Sequence, residues 1–368
     1  MKVSELYKNY LIPAAVFQGV IIGGGYATGR EIVEYVTQWG PLAGLMSLFT
    51  IVVVFGITIS VSFFISKKFQ VYDYRLFLKK LLGGYWVIYE VLFSMLLIVV
   101  IAVIASAATE TAKQVVEIPA SWLLGLIGLV IVGCCFLGRN FIQKTLLIWT
   151  LGVMFALMLI LAFVLNTNYE NILANLSSAN GVNNDYKGAV ISGLKFAVYN
   201  SALLPVLVYC AREIDNPKSA IKSGLFTGLL GTIPAIFLHI TFLSYYPDIT
   251  TKSVPTFWLL GALTLESYTE FYVALLFGTL VLTAVGILHG VNERINGWLL
   301  DKNKNRLSAL GGACVTGTLI ILSLLLSNLG IVNLVAKGYG SLAFGFFMIF
   351  TIPIFFQGFK LLWGYFNE

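Results

Sequence analysis

Charge is what this 368-residue chain has least of: Asp, Glu, Lys and Arg together make up 11% of it. A soluble domain carries roughly 25%. That scarcity excludes a water-facing shell, and with it most soluble enzymes and binding modules. Histidine is nearly missing, at two residues, so no histidine cluster of the catalytic-metal kind can form. The four cysteines, Cys134, Cys135, Cys210 and Cys314, lie in or beside apolar segments without metal-ligand spacing. They read as small buried apolar residues. A hydrophilic stretch long enough to fold alone is lacking too, since the longest polar interval, about 166–187, is loop-like. Paired aspartates near loops and a Gly-x-Ser-x-Gly turn are both absent, so a membrane enzyme finds no support and no cofactor is expected.

What fills the chain instead is apolar, at 58% of residues and a mean hydropathy of +0.89. A window of about 19 residues predicts ten spans, near 10–38, 41–66, 82–112, 119–137, 145–165, 188–213, 220–243, 269–297, 308–327 and 331–358. The expected fold is therefore an all-α integral membrane protein whose partner is the lipid bilayer. The net charge of +6 does not signal nucleic acid, because the basic residues sit in short loops between apolar runs. The N-terminus shows no small-residue cleavage site, so the first span is expected to be retained. Seventeen lysines and arginines fall on one face and four on the other. By the positive-inside rule both termini are then cytoplasmic.

The two halves share one order of spans, offset by about 178–189 residues. An odd number of spans per half inverts the second half, so a single transmembrane domain, 1–368, is expected. Its two inverted five-helix repeats would run about 1–172 and 173–368. Gly23, Gly24 and Gly25 stand consecutively inside the first span. Each costs about 1 kcal/mol of helix propensity against alanine, and an unwound segment at membrane depth survives only where it lines a cavity or binds something. The repeat then predicts a second break in the sixth span. Pro205 there removes an amide and disfavours helix just before it, with Tyr199-Asn200-Ser201 as a polar cluster ahead. Helices 1 and 6 are thus expected to be broken at the midplane.

These features resemble the five-plus-five inverted-repeat fold of the amino acid–polyamine–cation transporters, that of the bacterial leucine transporter. The phrase Gly24-Gly25-Tyr26-Ala27-Thr28-Gly29-Arg30-Glu31-Ile32 is similar to the first-helix signature of YkvI-like bacterial membrane proteins in that superfamily. The resemblance implies a secondary transporter of a small organic solute, an amino acid or related compound, in the bacterial cytoplasmic membrane. Its coupling ion would be sodium, or less readily protons. The alternative is a ligand-sensing receptor of the same fold, like some germinant-receptor subunits, without net transport.

The expected substrate site comprises Gly23, Gly24, Gly25, Tyr26, Ala27 and Thr28 with Tyr199, Asn200 and Ser201. An outer half-helix starting near Gly25 would offer its amides and the Thr28 hydroxyl to a carboxylate. An ammonium would suit freed carbonyls and the Asn200 side-chain oxygen. The glycines could instead serve close packing, and the span-six cluster could merely satisfy the broken backbone. The carbonyls of Gly19, Val20 and Ile22 are candidates for a cation. The resemblance adds Thr283, and Thr279 less strongly, so the sodium site would sit at Gly19, Ile22 and Thr283. Membrane threonines also bond commonly to their own helix. Glu90 is the proton-relay candidate, with packing as its alternative. His239 and His289 read as bonded core residues. Arg30, Glu31 and Glu34 occupy the outer half of the first span and could form an extracellular gate with Lys195 or Lys337, Arg30 being the favoured member; Arg30 and Glu34 could instead simply pair at i, i+4.

Overall fold

Where lipid is the solvent, every amide and carbonyl must find its partner within the protein, and helices achieve this segment by segment. A computed structural model describes residues 6–113, 119–135, 139–177 and 184–367. It is helical nearly throughout, with no strand among the described residues. A π turn at Tyr7–Leu11 leads into α1 (Ile12–Ile21), α2 (Gly24–Ala27) and α3 (Arg30–Tyr35). There follow α4 (Pro41–Phe69), α5 (Tyr74–Leu82), α6 (Trp86–Ala112), α7 (Ala120–Cys135), α8 (Arg139–Thr167) and α9 (Tyr169–Ser177). The second half holds α10 (Tyr186–Ser201), α11 (Leu204–Leu207), α12 (Pro217–Leu243), α13 (Pro255–Ala262), α14 (Glu266–Asp301) and α15 (Ala309–Ser327). The last stretch carries α16 (Ile331–Asn333), α17 (Gly340–Phe346) and α18 (Ile352–Asn367), joined by π turns.

Helix occupies all ten predicted positions, but among the described residues seven helices are long and apolar enough to cross a bilayer unaided. The count is eight when the bent pair α10–α11 is taken as one. The two that fall short have identifiable reasons. The first position is cut into pieces by its breaks, and α7 is described over 16 residues, fewer than the roughly 20 that a bilayer core requires. Helix starts follow sequence signals where the chain leaves the apolar region. Asp73 accepts the amides of Arg75 and Leu76 at the head of α5, and Asn216 caps α12 ahead of Pro217.

Close packing of small residues brings α4 against α12. A Cβ on Gly224 would overlap the backbone of Ser60, and one on Gly228 would lie 2.5 Å from the Gly56 nitrogen, the small-residue contact by which membrane helices approach. Large apolar side chains such as Phe49, Leu129, Leu325 and Phe356 remain exposed on the outer faces, as suits contact with lipid tails. The polar interval of the sequence lies partly outside the described residues. Of the cysteines, Cys210 is buried as expected, whereas Cys314 is exposed. The side chains of Cys134 and Cys135 are outside the described residues.

Candidate functional site

The first helix is broken twice. At Ile22 (ψ 73°) the chain leaves α1, and the Gly23 amide turns back to the Ile21 carbonyl at 2.7 Å. The donors that would close the next turn are thereby diverted. Among the described residues no backbone amide donates to the carbonyls of Gly19 or Ile22. Gly24 and Gly25 then form a single helical turn, α2, rather than an unwound run. That corrects the expectation of an outer half-helix starting near Gly25. The second break is at Gly29, whose φ of +76° places it in the left-handed region that glycine enters without steric cost.

Consequences for the expected anion subsite are direct. The Ala27 amide donates to the Gly23 carbonyl at 3.0 Å. The Thr28 hydroxyl donates to the Gly25 carbonyl at 2.8 Å and accepts from the Arg30 amide at 3.3 Å. Carbonyls freed by the second break are taken as well: Ala27 accepts from Thr256 Oγ1 at 2.9 Å and Tyr272 Oη at 2.5 Å. Thr28 accepts from the Thr256 amide at 3.1 Å. The Ala27 amide and the Thr28 hydroxyl, expected to face a carboxylate, are thus already bonded within the break. Tyr26 is buried, its hydroxyl beside the Ala235 backbone without a well-formed hydrogen bond.

The sixth span breaks between α10 and α11, with a bend of 45°. The Leu203 amide returns to the Asn200 carbonyl at 3.0 Å, and Pro205 opens α11 in its first turn as its missing amide favours. Tyr199, Asn200 and Ser201 stay within α10. Asn200 is buried and donates to the Phe196 carbonyl at 3.0 Å. Ser201 turns the other way, 3.1 Å from the Thr58 hydroxyl on α4, which takes it out of the space facing helix one.

Tyr199 joins the two broken helices: its hydroxyl donates to Glu31 Oε2 at 2.7 Å. Glu31 is 7% exposed and has no ion pair among the described residues. Its other oxygen lies where a Cβ of residue 25 would stand, so Gly25 is small to leave room for this carboxylate. Around it runs a chain of aromatic rings. Phe196 lies 6.2 Å from Tyr26, 5.7 Å from Tyr35 and 5.5 Å from Tyr199, and Tyr199 stacks on Tyr339 at 4.7 Å. The sequence reading placed Glu31 in the gate and missed its position at the centre. A signal was available: Arg30 has Glu34 at i+4, whereas the i±4 neighbours of Glu31 are Ala27 and Tyr35, so no local cation can neutralise it.

Arg30 pairs with Glu34 at 2.7 Å and donates to the carbonyls of Thr250 at 3.1 Å and Lys252 at 3.0 Å. Its partners are thus its own helix and the loop after α12, not Lys195 or Lys337. Glu90, one turn into α6, forms an ion pair with Arg294 of α14, whose guanidinium also donates to Tyr74 Oη and lies over the Tyr74 and Phe93 rings. That places Glu90 in a latch between helices. Thr279 donates to the Leu275 carbonyl of its own helix at 2.8 Å, while the Thr283 hydroxyl makes no hydrogen bond among the described residues. Thr283 sits at the first break, its methyl 3.5 Å from where a Gly23 Cβ would lie. His239 is a bonded core residue, its Nε2 3.1 Å from the Pro41 carbonyl and its Nδ1 3.1 Å from the Thr37 hydroxyl.

Two cavities have linings that include neither Glu31 nor Tyr199. One of about 400 Å³ is lined by Tyr74, Trp86, Glu90, Arg294 and Trp298. The other, about 270 Å³, is lined by Trp39, Asp185, Ser192 and Lys195. Trp39 and Lys195 lie four residues along the chain from Tyr35 and Tyr199.

No family model matches the chain. It is similar to the uncharacterised membrane protein YkvI of Bacillus subtilis (strain 168), with 26% identity over 360 residues, 90% of this chain and 92% of that one. Among solved structures it resembles a Na+-coupled sialic acid symporter in its substrate-bound outward-open state. That TM-score is 0.53 at 14% identity, over 92% of this chain and 84% of the other. Both comparisons are with membrane proteins, and neither points to an enzyme. The chain is a multi-pass membrane protein, similar to YkvI along nine-tenths of its length, and its fold is that of a Na+-coupled symporter.

Proposed function

We propose that this protein is a secondary active transporter of a small organic solute, an amino acid or related compound. It would work by alternating access in the bacterial cytoplasmic membrane, with both termini cytoplasmic. The observation that carries this reading is the meeting of two interrupted helices, bridged by Tyr199 and Glu31, in a fold shared with a symporter. A channel has no need of such breaks, whereas transporters place solute and coupling ion at them. The breaks would lie near the midplane and relate the two inverted repeats, residues about 1–172 and 173–368.

Sodium is the proposed coupling ion. Its ligands would be the carbonyls of Gly19 and Ile22, left without amide donors, the carbonyl of Val20 and the Thr283 hydroxyl. Oxygen-only ligation of this kind suits a hard cation. Solute would lie between Gly23–Gly25 and the Tyr199–Asn200 stretch. The Arg30–Glu34 contacts with residues 250 and 252 would close one side, and the Glu90–Arg294 latch together with the Asn9–Asp215 hydrogen bonds the other.

The test is a thermal-shift panel of amino acids on the purified chain, with sodium replaced by potassium, followed by uptake into liposomes under a sodium gradient. Stabilisation by one solute class only in sodium, with concentrative uptake of that solute, supports the reading. Stabilisation without uptake would make the protein a receptor. Uptake driven equally well in potassium would remove sodium from the mechanism.

A further inference from the structure

We infer that Glu31 is the seat of a protonated amine on the transported solute. This inference deepens the proposed function and rests on the helix breaks being the solute site. The groups gathered there are nearly all electron-rich. They are the Glu31 carboxylate, the carbonyls of Gly19 and Ile22 at the first break, and the clustered rings of Tyr35, Phe196, Tyr199 and Tyr339, joined to the carboxylate through the Tyr199 hydroxyl. Glu31 keeps its negative end in a space 7% exposed and receives one hydrogen bond, from Tyr199. The nearest cation along the chain is Arg30, and it is turned away to Glu34 and two carbonyls of the loop after α12. A carboxylate held in an apolar region without its own counter-charge is stable only with a cation brought to it or a proton on it.

The wall around it selects among cations. Sodium takes oxygen ligands and gains little from aromatic carbon. An ammonium group on an organic body instead gains from both a carboxylate and ring faces. Gly25 completes the arrangement, because any side chain there would occupy the place of the carboxylate. A carboxylate of the solute cannot share this spot with Glu31, since like charges at contact in a dry site repel strongly. The amine end therefore belongs at Glu31 and the remainder of the solute elsewhere along the breaks.

The experiment uses the full chain in detergent and matched probe trios in which an amino acid is compared with its decarboxylated amine and its deaminated acid. Leucine, isopentylamine and isocaproate are one such trio. Amine-bearing members of a trio are expected to raise the melting temperature and the deaminated acid to leave it unchanged. Glu31→Gln is expected to weaken amine binding by on the order of tenfold or more, as loss of a charged partner does, while the sodium-dependent shift persists. Tyr199→Phe keeps the ring and removes the hydroxyl, and is expected to weaken amine binding several-fold, which serves if Glu31→Gln does not fold. Three results would overturn the inference: stabilisation by the deaminated acids alone, unchanged amine binding in both variants, or a sodium shift with no response to any trio. That last result leaves the transporter reading standing. Amine binding that is lost in Glu31→Gln, in a wild-type protein that moves no solute into liposomes, supports the inference and overturns transport instead.

Discussion

Glu31 and Glu90 are both carboxylates carried by helices of an apolar chain, and in sequence Glu90 is the better relay candidate because it stands alone in its run. Their surroundings reverse that ranking. Glu90 is about a quarter exposed and is met by Arg294, whose guanidinium lies against the Tyr74 and Phe93 rings, so its charge is matched, at the wall of one cavity. Glu31 is buried and met by a neutral phenol. Depth in the membrane does not by itself mark a functional carboxylate. What separates the two is whether the protein supplies the counter-charge, since a buried carboxylate without one is stable only with a proton or an added cation.

The largest effect expected from disturbing this contrast is that of Gly25→Leu. Its side chain would meet the Glu31 carboxylate, and all solute-dependent stabilisation should vanish in the thermal-shift panel. Retained stabilisation would place the solute away from Glu31. Next, Arg294→Ala should unpair Glu90 and lower the unfolding free energy by roughly 1–3 kcal/mol, reduced by the partial exposure of the pair. Adding Glu90→Gln should restore most of it, whereas Glu31→Gln, which removes an unmatched charge, should leave the ligand-free protein at least as stable as the parent. Denaturation of the four proteins in the same detergent measures this. A Glu31→Gln loss as large as that of Arg294→Ala would erase the distinction.

Smaller effects separate the two threonines of α14. Thr283→Val should weaken sodium binding by about tenfold, the equivalent of 1.4 kcal/mol, read as the sodium concentration that half-saturates the thermal shift. Thr279→Val, which loses a bond to its own helix, should change stability by less than about 0.5 kcal/mol and leave the sodium dependence alone. Equal behaviour of the two variants would move the ion site off α14.

Much of the architecture was legible in the chain. Long apolar runs separated by basic loops become helices wherever water is excluded, and Pro205 announces its break because a missing amide and a steric clash are local facts. The three glycines announced a break but not its place. Two of them form a turn, and the departures fall at Ile22 and Gly29, decided by packing against α13 and α14. Thr28 was read as a ligand on residue type, yet a hydroxyl near a broken helix end bonds first to the nearest free backbone. Arg30 with Glu34 was visible as an i, i+4 pair, though the loop carbonyls that hold the rest of its guanidinium were not.

The sequence by itself determined the solvent of this protein, the positions of its helices and the fact that the first and sixth stretches are interrupted. These follow from composition and from residues acting on their own backbone. Only the tertiary structure decided that Glu31 rather than Glu90 stands at the centre, because its partner Tyr199 lies 168 residues away. Gly25 must likewise be small for a side chain that a left-handed turn at Gly29 folds back onto it. Such contacts depend on how separate helices are pressed together, and no local pattern carries that information.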